Sequence, residues 1–439
     1  MKILIVGLTS TAIGGMEFHN LGNYIIMEPL IEELQNTFPG AEIRTSIQMS
    51  DDYCRKWNIV SLRDKRFFRY KFTTGLRTIA DIFKVSLWKV FSCVGLKLDG
   101  LLQSSLLLRE IKDADLVIDF SGDVYGDNAH YRAFLEANAR LWFAMVMKKK
   151  IAMIIGSPGP FKSAWRKIIA KYILRNVDLL TNREAVSTEL LADMGITGEH
   201  IYSTACPSVL FRKEPDENMV QILETEGLNQ VRQRPLVGLI LCGWNMPVGP
   251  YNRWPREDVE YSSFVELVRY LIEEKNVDVC LMSHQNGTDD EMRLQPANDH
   301  KLIARLMEII GNKYPEDRLF TLKGLYTAAQ SKAIISHFDI LVSGRIHGAV
   351  QGLSQGIPSV IIDYGHEPKA HKLKGFARIY DVEDFVVDPT NADQLKETVS
   401  KVLENRGEIA EGLEKRIPLV KELTMKNFTL LHELAYGKA

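Results

Sequence analysis

The sequence predicts two doubly wound α/β domains, each a parallel sheet with helices on both faces, facing one another across a cleft. Three observations carry this. Short apolar runs alternate with helical patterns along the chain, and such alternation builds parallel sheets joined by crossover helices. The alternation lapses in a polar stretch, 212–234, and restarts at Pro235. The 439 residues also exceed one domain of about 100–200 residues.

In the first half the strand candidates are 2–6, 41–47, 116–120, 151–155 and 179–181, with helical periodicity at 24–37, 131–148, 165–175 and 185–194. The opening run from Met1 to Gly7 is too short for the apolar core of a signal peptide and reads as a buried first strand. In the second half strands at 236–241, 277–282, 319–321, 340–343 and 359–362 alternate with helices at 261–274, 299–310, 328–337, 347–355 and 392–404. The expected organisation is a first domain over 1–211, a linker over 212–234, a second domain over 235–408, and a helical segment over 409–439 that packs back towards the first domain.

One region breaks the alternation. Residues 77–109 read largely as helix, with an amphipathic centre from Ile82 to Phe91 and with Lys84, Lys89 and Lys97 interrupting the apolar residues. Two readings stand: a helix packed on the sheet, or a peripheral contact with a membrane surface.

Composition narrows the function classes. Hydrophobic residues at 46% and charged residues at 25% are ordinary for a globular protein. A net charge of -2 argues against a nucleic-acid partner. The five cysteines, at positions 54, 93, 206, 242 and 280, are scattered and unpaired in spacing. They argue against a disulfide framework or a zinc site and predict a reducing, cytoplasmic setting. No stretch approaches the ~18 apolar residues of a membrane span.

Doubly wound domains bind ligands beyond the C-terminal ends of their strands, so the chemistry is sought just after each strand. The strongest segment is Ser343-Gly344-Arg345-Ile346-His347-Gly348, a turn between a buried strand and a helix. A helix start attracts anions, Arg345 adds a planar cation suited to carboxylate or phosphate, and His347 is a group that transfers protons near neutral pH. The next strand is followed by a loop rich in titratable groups, Asp363 to Lys372, in which Lys369 is a second candidate cation. In the first half, the glycine-rich stretch from Gly14 to Asn23 follows the first strand and contains His19, Asn20 and Asn23. Asp123 and Asp127 follow the 116–120 strand, and Arg183 follows the 179–181 strand. Trp244 and Trp254 offer aromatic surface for a sugar ring, and His284 lies in a polar loop. No metal-ligand cluster is visible.

Taken in order, these segments resemble the polysaccharide pyruvyl transferase family. The landmarks are Asn20-Leu21-Gly22-Asn23, Ser121-Gly122-Asp123, Gly156-Ser157-Pro158-Gly159-Pro160, and Arg183-Glu184 leading into Ser187 and Leu190. Pro207-Ser208, the turn from Ser343 to Gly348, Gly356-Ile357-Pro358, and Tyr364 followed by Lys369 complete the set. The chain departs from the family pattern at Asn23 and Cys206, where the family usually has Asp, and in having fewer glycines around Ser121-Gly122-Asp123.

The resemblance implies two Rossmann-like domains in the GT-B-like arrangement. It implies phosphoenolpyruvate as a co-substrate, with no cofactor and no metal. It implies a glycan or lipid-linked sugar as acceptor, and an enzyme working in the cytoplasm or at the inner face of the membrane. Donor binding falls on Arg183, Arg345, Lys369, Ser343 and Gly344. His347 is the expected acid and Asp123 a candidate acceptor-side base. His19, Asn20, Asn23, Trp244 and His284 are the expected acceptor-side residues. The competing expectations are a nucleotide-sugar glycosyltransferase of the same architecture and a non-catalytic glycan-binding relative.

Overall fold

The computed structural model describes residues 1–7, 20–67, 72–96, 98–127, 129–248, 253–288, 294–365 and 370–437. The chain forms two compact units. The first comprises Met1–Met16, Leu30–Cys206 and Leu423–Ala439; the second comprises Glu17–Pro29 and Pro207–Glu422.

The first unit is built on a parallel sheet. Its strands are β1 (Lys2–Gly7), β2 (Glu42–Thr45), β3 (Val60–Ser61), β4 (Leu116–Phe120), β5 (Lys150–Gly156), β6 (Leu179–Asn182) and β7 (Ile201–Ser203). They lie in the order β3-β2-β1-β4-β5-β6-β7, and every pair is parallel. The order in which strands are added reverses between β1 and β4. β4 is buried at every position and β5 at every position after Lys150, as near-continuous apolar runs require when helices cover both faces.

The second unit repeats the design. Its strands are β8 (Leu236–Ile240), β9 (Asp278–Leu281), β10 (Asn286–Thr288), β11 (Leu294–Pro296), β12 (Leu319–Thr321), β13 (Ile340–Ser343), β14 (Ser359–Ile362) and β15 (Val386–Val387). The main sheet runs β12-β9-β8-β13-β14-β15, while β10 and β11 form a separate antiparallel pair. With the main-sheet strands counted along the chain, the order is that of a dinucleotide-type fold, reversing between β8 and β13. That switch point is where such a sheet leaves room for a ligand.

The predicted strands at 116–120, 319–321, 340–343 and 359–362 appear with those bounds. The sequence did not single out β3, β7, β15 or the β10–β11 pair. Each is two or three residues long. The 77–109 region resolves into helices Phe72–Cys93, Asp99–Gln103 and Leu106–Asp113. The first of these packs against the Tyr131–Val146 helix. Among the described residues, no helix is long and apolar enough to cross a membrane.

The C-terminal helix, Arg406–Tyr436, brings Asn427 into the first unit. The Asn427 side chain accepts from the hydroxyls of Thr181 (2.6 Å) and Thr204 (2.9 Å) and donates to the Ala205 carbonyl (3.0 Å). In the second unit, β8 carries a glycine at its centre for a packing reason. A Cβ on Gly238 would lie 2.2 Å from the ring of Phe338, a buried residue just ahead of β13. The ring fills the space that any larger residue at 238 would claim. Phe338→Ala empties that space, and chemical denaturation should show a loss of about 3–5 kcal/mol in the stability of the second unit.

Candidate active site

The turn after β13 is fixed by its own polar groups. The Ser343 hydroxyl donates to the Arg345 carbonyl (2.8 Å) and accepts from the Arg345 amide (3.2 Å). The Gly344 amide donates to the Ile240 carbonyl at 2.8 Å, continuing the ladder from β13 to β8. Arg345 then occupies the N-cap of the Ile346–Leu353 helix. Two glycines permit this path. A Cβ on Gly344 would fall 1.6 Å from Asn245 Oδ1, and one on Gly348 would fall 2.9 Å from Ile240 Cδ1.

Asn245 is the counterpart that the turn closes on. It is fully buried and spans three strand ends. Its Oδ1 accepts from the Cys242 amide after β8 (3.1 Å), and its Nδ2 donates to the carbonyls of Ile362 and Asp363 at the end of β14 (3.2 Å each). A buried amide that satisfies both its oxygen and its nitrogen holds its neighbours in one arrangement.

Arg345 is buried and committed. Its guanidinium grips the Asp299 carboxylate in a two-point fork, Nε to Oδ2 at 3.1 Å and Nη2 to Oδ1 at 2.5 Å, and Nη2 also donates to Gln285 Oε1 at 3.0 Å. Burial disfavours the guanidinium's charge, but the Asp299 charge more than offsets it, so its pKa is raised. Asp299 itself lies in the first turn of the Asn298–Ile310 helix, where a carboxylate is favoured.

The same network reaches His284. Its amide donates to Asp299 Oδ2 (3.3 Å) and its Nε2 meets Gln351 Oε1 (3.1 Å). Gln351 Nε2 donates to the Ala328 carbonyl at 2.8 Å, which leaves Oε1 as the acceptor and makes His284 Nε2 the protonated nitrogen. Burial first, and the Arg345 charge second, push the His284 pKa down to about 4. His284 was expected on the acceptor side. The structure makes it a neutral ring, buried in the wall behind the turn and bonded to Gln351.

His347 lies in the first turn of the Ile346–Leu353 helix, half-buried, with the Phe376 ring edge-on at 6.4 Å. Its other neighbour comes from far along the chain. A Cβ on Gly22 would lie 2.6 Å from His347 Nδ1, and Gly22 is in the first turn of the Leu21–Thr37 helix. Asn20 caps that helix, its Oδ1 accepting from the Gly22 amide at 3.0 Å. Leu21 and Ile25 anchor this start of the helix against Phe211 and Ala328. Two helix N-termini therefore meet at His347 within the second unit, and the amide groups and dipoles of both favour an anion there. Asn20, Gly22 and Asn23 belong to this cluster although they follow β1 of the other sheet in sequence.

Trp244 sits on the loop after β8, its ring 6.0 Å from that of Tyr364 after β14. The second unit thus brings together Ser343, Gly344, Arg345, His347, His284, Trp244, Asn20 and Asn23. Lys369 and His19 lie outside the described residues.

Arg183 and Asp123 belong to the first unit. Arg183 follows β6, is buried, donates from Nε to the Ser157 hydroxyl at 2.7 Å, and its amide donates to the Gly156 carbonyl at 3.0 Å. Glu184 beside it caps the Ala185–Asp193 helix by accepting from the Ser187 amide at 2.9 Å. Asp127 is committed to the amides of Lys162 and Ser163 and to the Ser163 hydroxyl. Asp123 stands in the turn after β4, half-buried. That turn is pinned by Asp119, whose carboxylate accepts from the Ser121 amide (3.0 Å) and hydroxyl (2.7 Å). Burial pushes the Asp119 pKa up to about 6.

Asn245, Asp299, Gln351 and Asp119 were not singled out from the sequence. Asp119 left a trace, an acid within the apolar strand Leu-Val-Ile-Asp-Phe. Asp299 and Gln351 sit on helix faces where polar residues are ordinary, and only tertiary contact gives them a role.

The chain matches the family described as polysaccharide pyruvyl transferase over residues 20–366. Among characterised proteins it is similar to the amylovoran biosynthesis protein AmsJ of Erwinia amylovora, 23% identical over 383 residues and covering 84% of each chain. Among solved structures it is similar to HepE of Anabaena in complex with UDP, with a TM-score of 0.57 at 12% identity over 98% of this chain and 99% of that one. It is also similar to the UDP-GlcNAc 2-epimerase of Neisseria meningitidis bound to UDP-GlcNAc, with a TM-score of 0.55 at 12% identity and the same coverage. These likenesses establish a two-domain, GT-B-like fold of parallel-sheet α/β units.

The depressed pKa of His284 has a direct consequence. The unfolded chain protonates this ring near 6.5, the folded chain only near 4. The ring's contribution to stability is therefore full above about 6.5 and is lost as pH falls towards 4. Thermal unfolding between these limits should show the wild-type midpoint falling faster with acid than that of His284→Gln, which keeps a donor for Gln351 but cannot titrate.

Proposed function

The chain belongs to the polysaccharide pyruvyl transferase family, and from that premise we propose that it transfers a pyruvyl group from phosphoenolpyruvate to two hydroxyls of a polysaccharide or of its lipid-linked precursor, forming a cyclic ketal. The observation that carries the reading is the meeting of two helix N-termini at His347. Such a place suits an anionic donor and puts a proton-transfer group beside it.

His347 delivers a proton to the methylene carbon of phosphoenolpyruvate. The double-bond electron pair forms the new C–H bond, and the adjacent carbon becomes oxocarbenium-like. A sugar hydroxyl adds to that carbon and gives up its proton. The C–O bond to phosphate breaks with its electron pair going to phosphate, and a second hydroxyl takes the vacated position. Of the two hydroxyl protons released, one balances the proton consumed at the methylene and the other leaves with phosphate.

Arg183 and Lys369 are assigned by family resemblance to donor binding. Arg345 enters differently from a simple clamp. With its fork engaged by Asp299 and Gln285, it holds the turn that presents His347. Asp123 is the candidate acceptor-side base, and Trp244 a stacking surface for a sugar ring.

Phosphate release from phosphoenolpyruvate in the presence of bacterial glycans and lipid-linked sugars tests the reading. His347→Gln should lower kcat by about 10²–10⁴, while Arg183→Ala should chiefly raise KM for phosphoenolpyruvate. Full activity in His347→Gln would remove the acid assignment. Thermal stabilisation by nucleotide sugars and none by phosphoenolpyruvate would replace the donor.

A further inference from the structure

The Phe72–Cys93 helix is built with its apolar face outward. Phe72, Leu76, Ile79, Phe83, Leu87 and Val90 recur every three or four residues, one stripe on a helix. All are exposed, Phe72 by 72%, Phe83 by 66% and Val90 by 62%. The opposite face is the buried one, where Thr74 and Asp81 stand beside the core residues Val85 and Trp88. Asp81 is paired with Arg66 at 2.6 Å and accepts from the Ser105 hydroxyl at 2.9 Å, while the Thr78 hydroxyl donates to Glu136.

The stripe does not stand alone. The Tyr131–Val146 helix packs beside Phe72–Cys93, and Ala164–Arg175 packs beside Tyr131–Val146, with Trp165 edge-on to Phe134 at 5.5 Å. The Ala164–Arg175 helix repeats the pattern. Trp165, Ile168 and Tyr172 form one face, and Ile168 is 70% exposed. A layer of three neighbouring helices thus presents apolar and aromatic side chains to solvent, well beyond the scattered exposure ordinary in a globular protein.

The charge pattern identifies the occupant. The only acids in these three helices are Asp81 and Glu136, and both are buried. Their cations are Arg77, Lys84 and Lys89 on the first, Arg132 on the second with the buried Arg140, and Arg166, Lys167, Lys171 and Arg175 on the third. Arg77 is paired with Asp64, Lys84 with Asp81 and Arg166 with Asp127, which leaves Lys89, Arg132, Lys167, Lys171 and Arg175 to carry the excess positive charge. On the first helix, Arg77 and Lys84 lie to one side of the stripe and Lys89 to the other, given 100° per residue. A second copy laid on the same face would set cation against cation. An anionic bilayer meets both features at once: the apolar side chains enter the acyl boundary and the flanking lysines and arginines reach the headgroups.

We propose that this helical layer of the first unit is a membrane-docking face, taking the surface of a bilayer that contains anionic phospholipid. The proposal stands apart from the donor chemistry and holds or fails without it.

Co-sedimentation of the full chain with vesicles tests it. Vesicles of equal parts phosphatidylcholine and phosphatidylglycerol should bind the chain at least about tenfold more tightly than phosphatidylcholine alone, and added salt should narrow the gap. Phe83→Glu with Val90→Glu should lower binding about tenfold or more, as should Ile168→Glu on the separate helix. The exposed sites predict unchanged melting temperatures. If the double variant melts early, Ile168→Glu decides. Absence of vesicle binding by the wild-type chain overturns the proposal. So does a wild-type dimer that Phe83→Glu with Val90→Glu turns into a monomer, because the face would then belong to a second copy.

Discussion

The second unit turns on a contact that admits no side chain. At its switch point the backbone of Gly344 closes on Asn245 until a Cβ would overlap the amide oxygen, 1.6 Å away. Asn245 is in turn bonded to the loop after β8 and to the end of β14. Three strand ends are thereby locked together by one buried amide and one missing methyl. Where Arg345 and His347 stand follows from this closure, because both lie within three residues of Gly344. A side chain at 344 would push the turn outward and carry the start of the Ile346–Leu353 helix with it.

The closure also decides what Arg345 does. Drawn inward with the turn, its guanidinium would be a buried charge of several kcal/mol cost without a partner. Asp299 supplies that partner in a two-point fork. The pair then shapes its neighbours. Beside a fixed cation and out of water, His284 stays neutral, and its Nε2 proton is directed to Gln351. Asp299, Arg345, His284 and Gln351 form one chain of hydrogen bonds ending at the Ala328 carbonyl. Such a chain rigidifies the floor under the turn on which His347, half-buried at the helix start, stands.

The fold was legible because a buried parallel strand leaves a strong mark. Runs such as Leu-Val-Ile-Asp-Phe and Ile-Leu-Val-Ser name themselves, and the glycines at 344 and 348 flag a close approach without saying what approaches. The site was legible only in part. Arg345 and His347 stand together in sequence and together in space. The approach of Gly22 to His347 joins residues more than three hundred positions apart, and no local pattern carries it. The partition of the chain is similar: residues 17–29 follow the first strand of the first sheet yet group with the second unit. Arg345 is a visible cation in the sequence, but its partner Asp299 is an ordinary helix-start acid until the fold brings the two within 2.5 Å.

The outward stripe on the Phe72–Cys93 helix shows the reverse limit. Periodicity reports that a helix has an apolar face, and the usual inference turns that face to the core. Here the core side joins Val85 and the half-buried Trp88 to polar residues already satisfied among themselves, Asp81 with Arg66 and Ser105, and Thr78 with Glu136. Turning the helix over would pull Asp81 away from Arg66 and Ser105 and take the Thr78 hydroxyl from the buried Glu136. Each misplaced buried charge costs more than the roughly 1.5–3 kcal/mol gained by covering one large apolar side chain. The polar face therefore fixes the helix's rotation, and the apolar face is left outward as a consequence. A surface exposed for that reason is stable in the folded chain, and still gains free energy from any apolar medium that covers it.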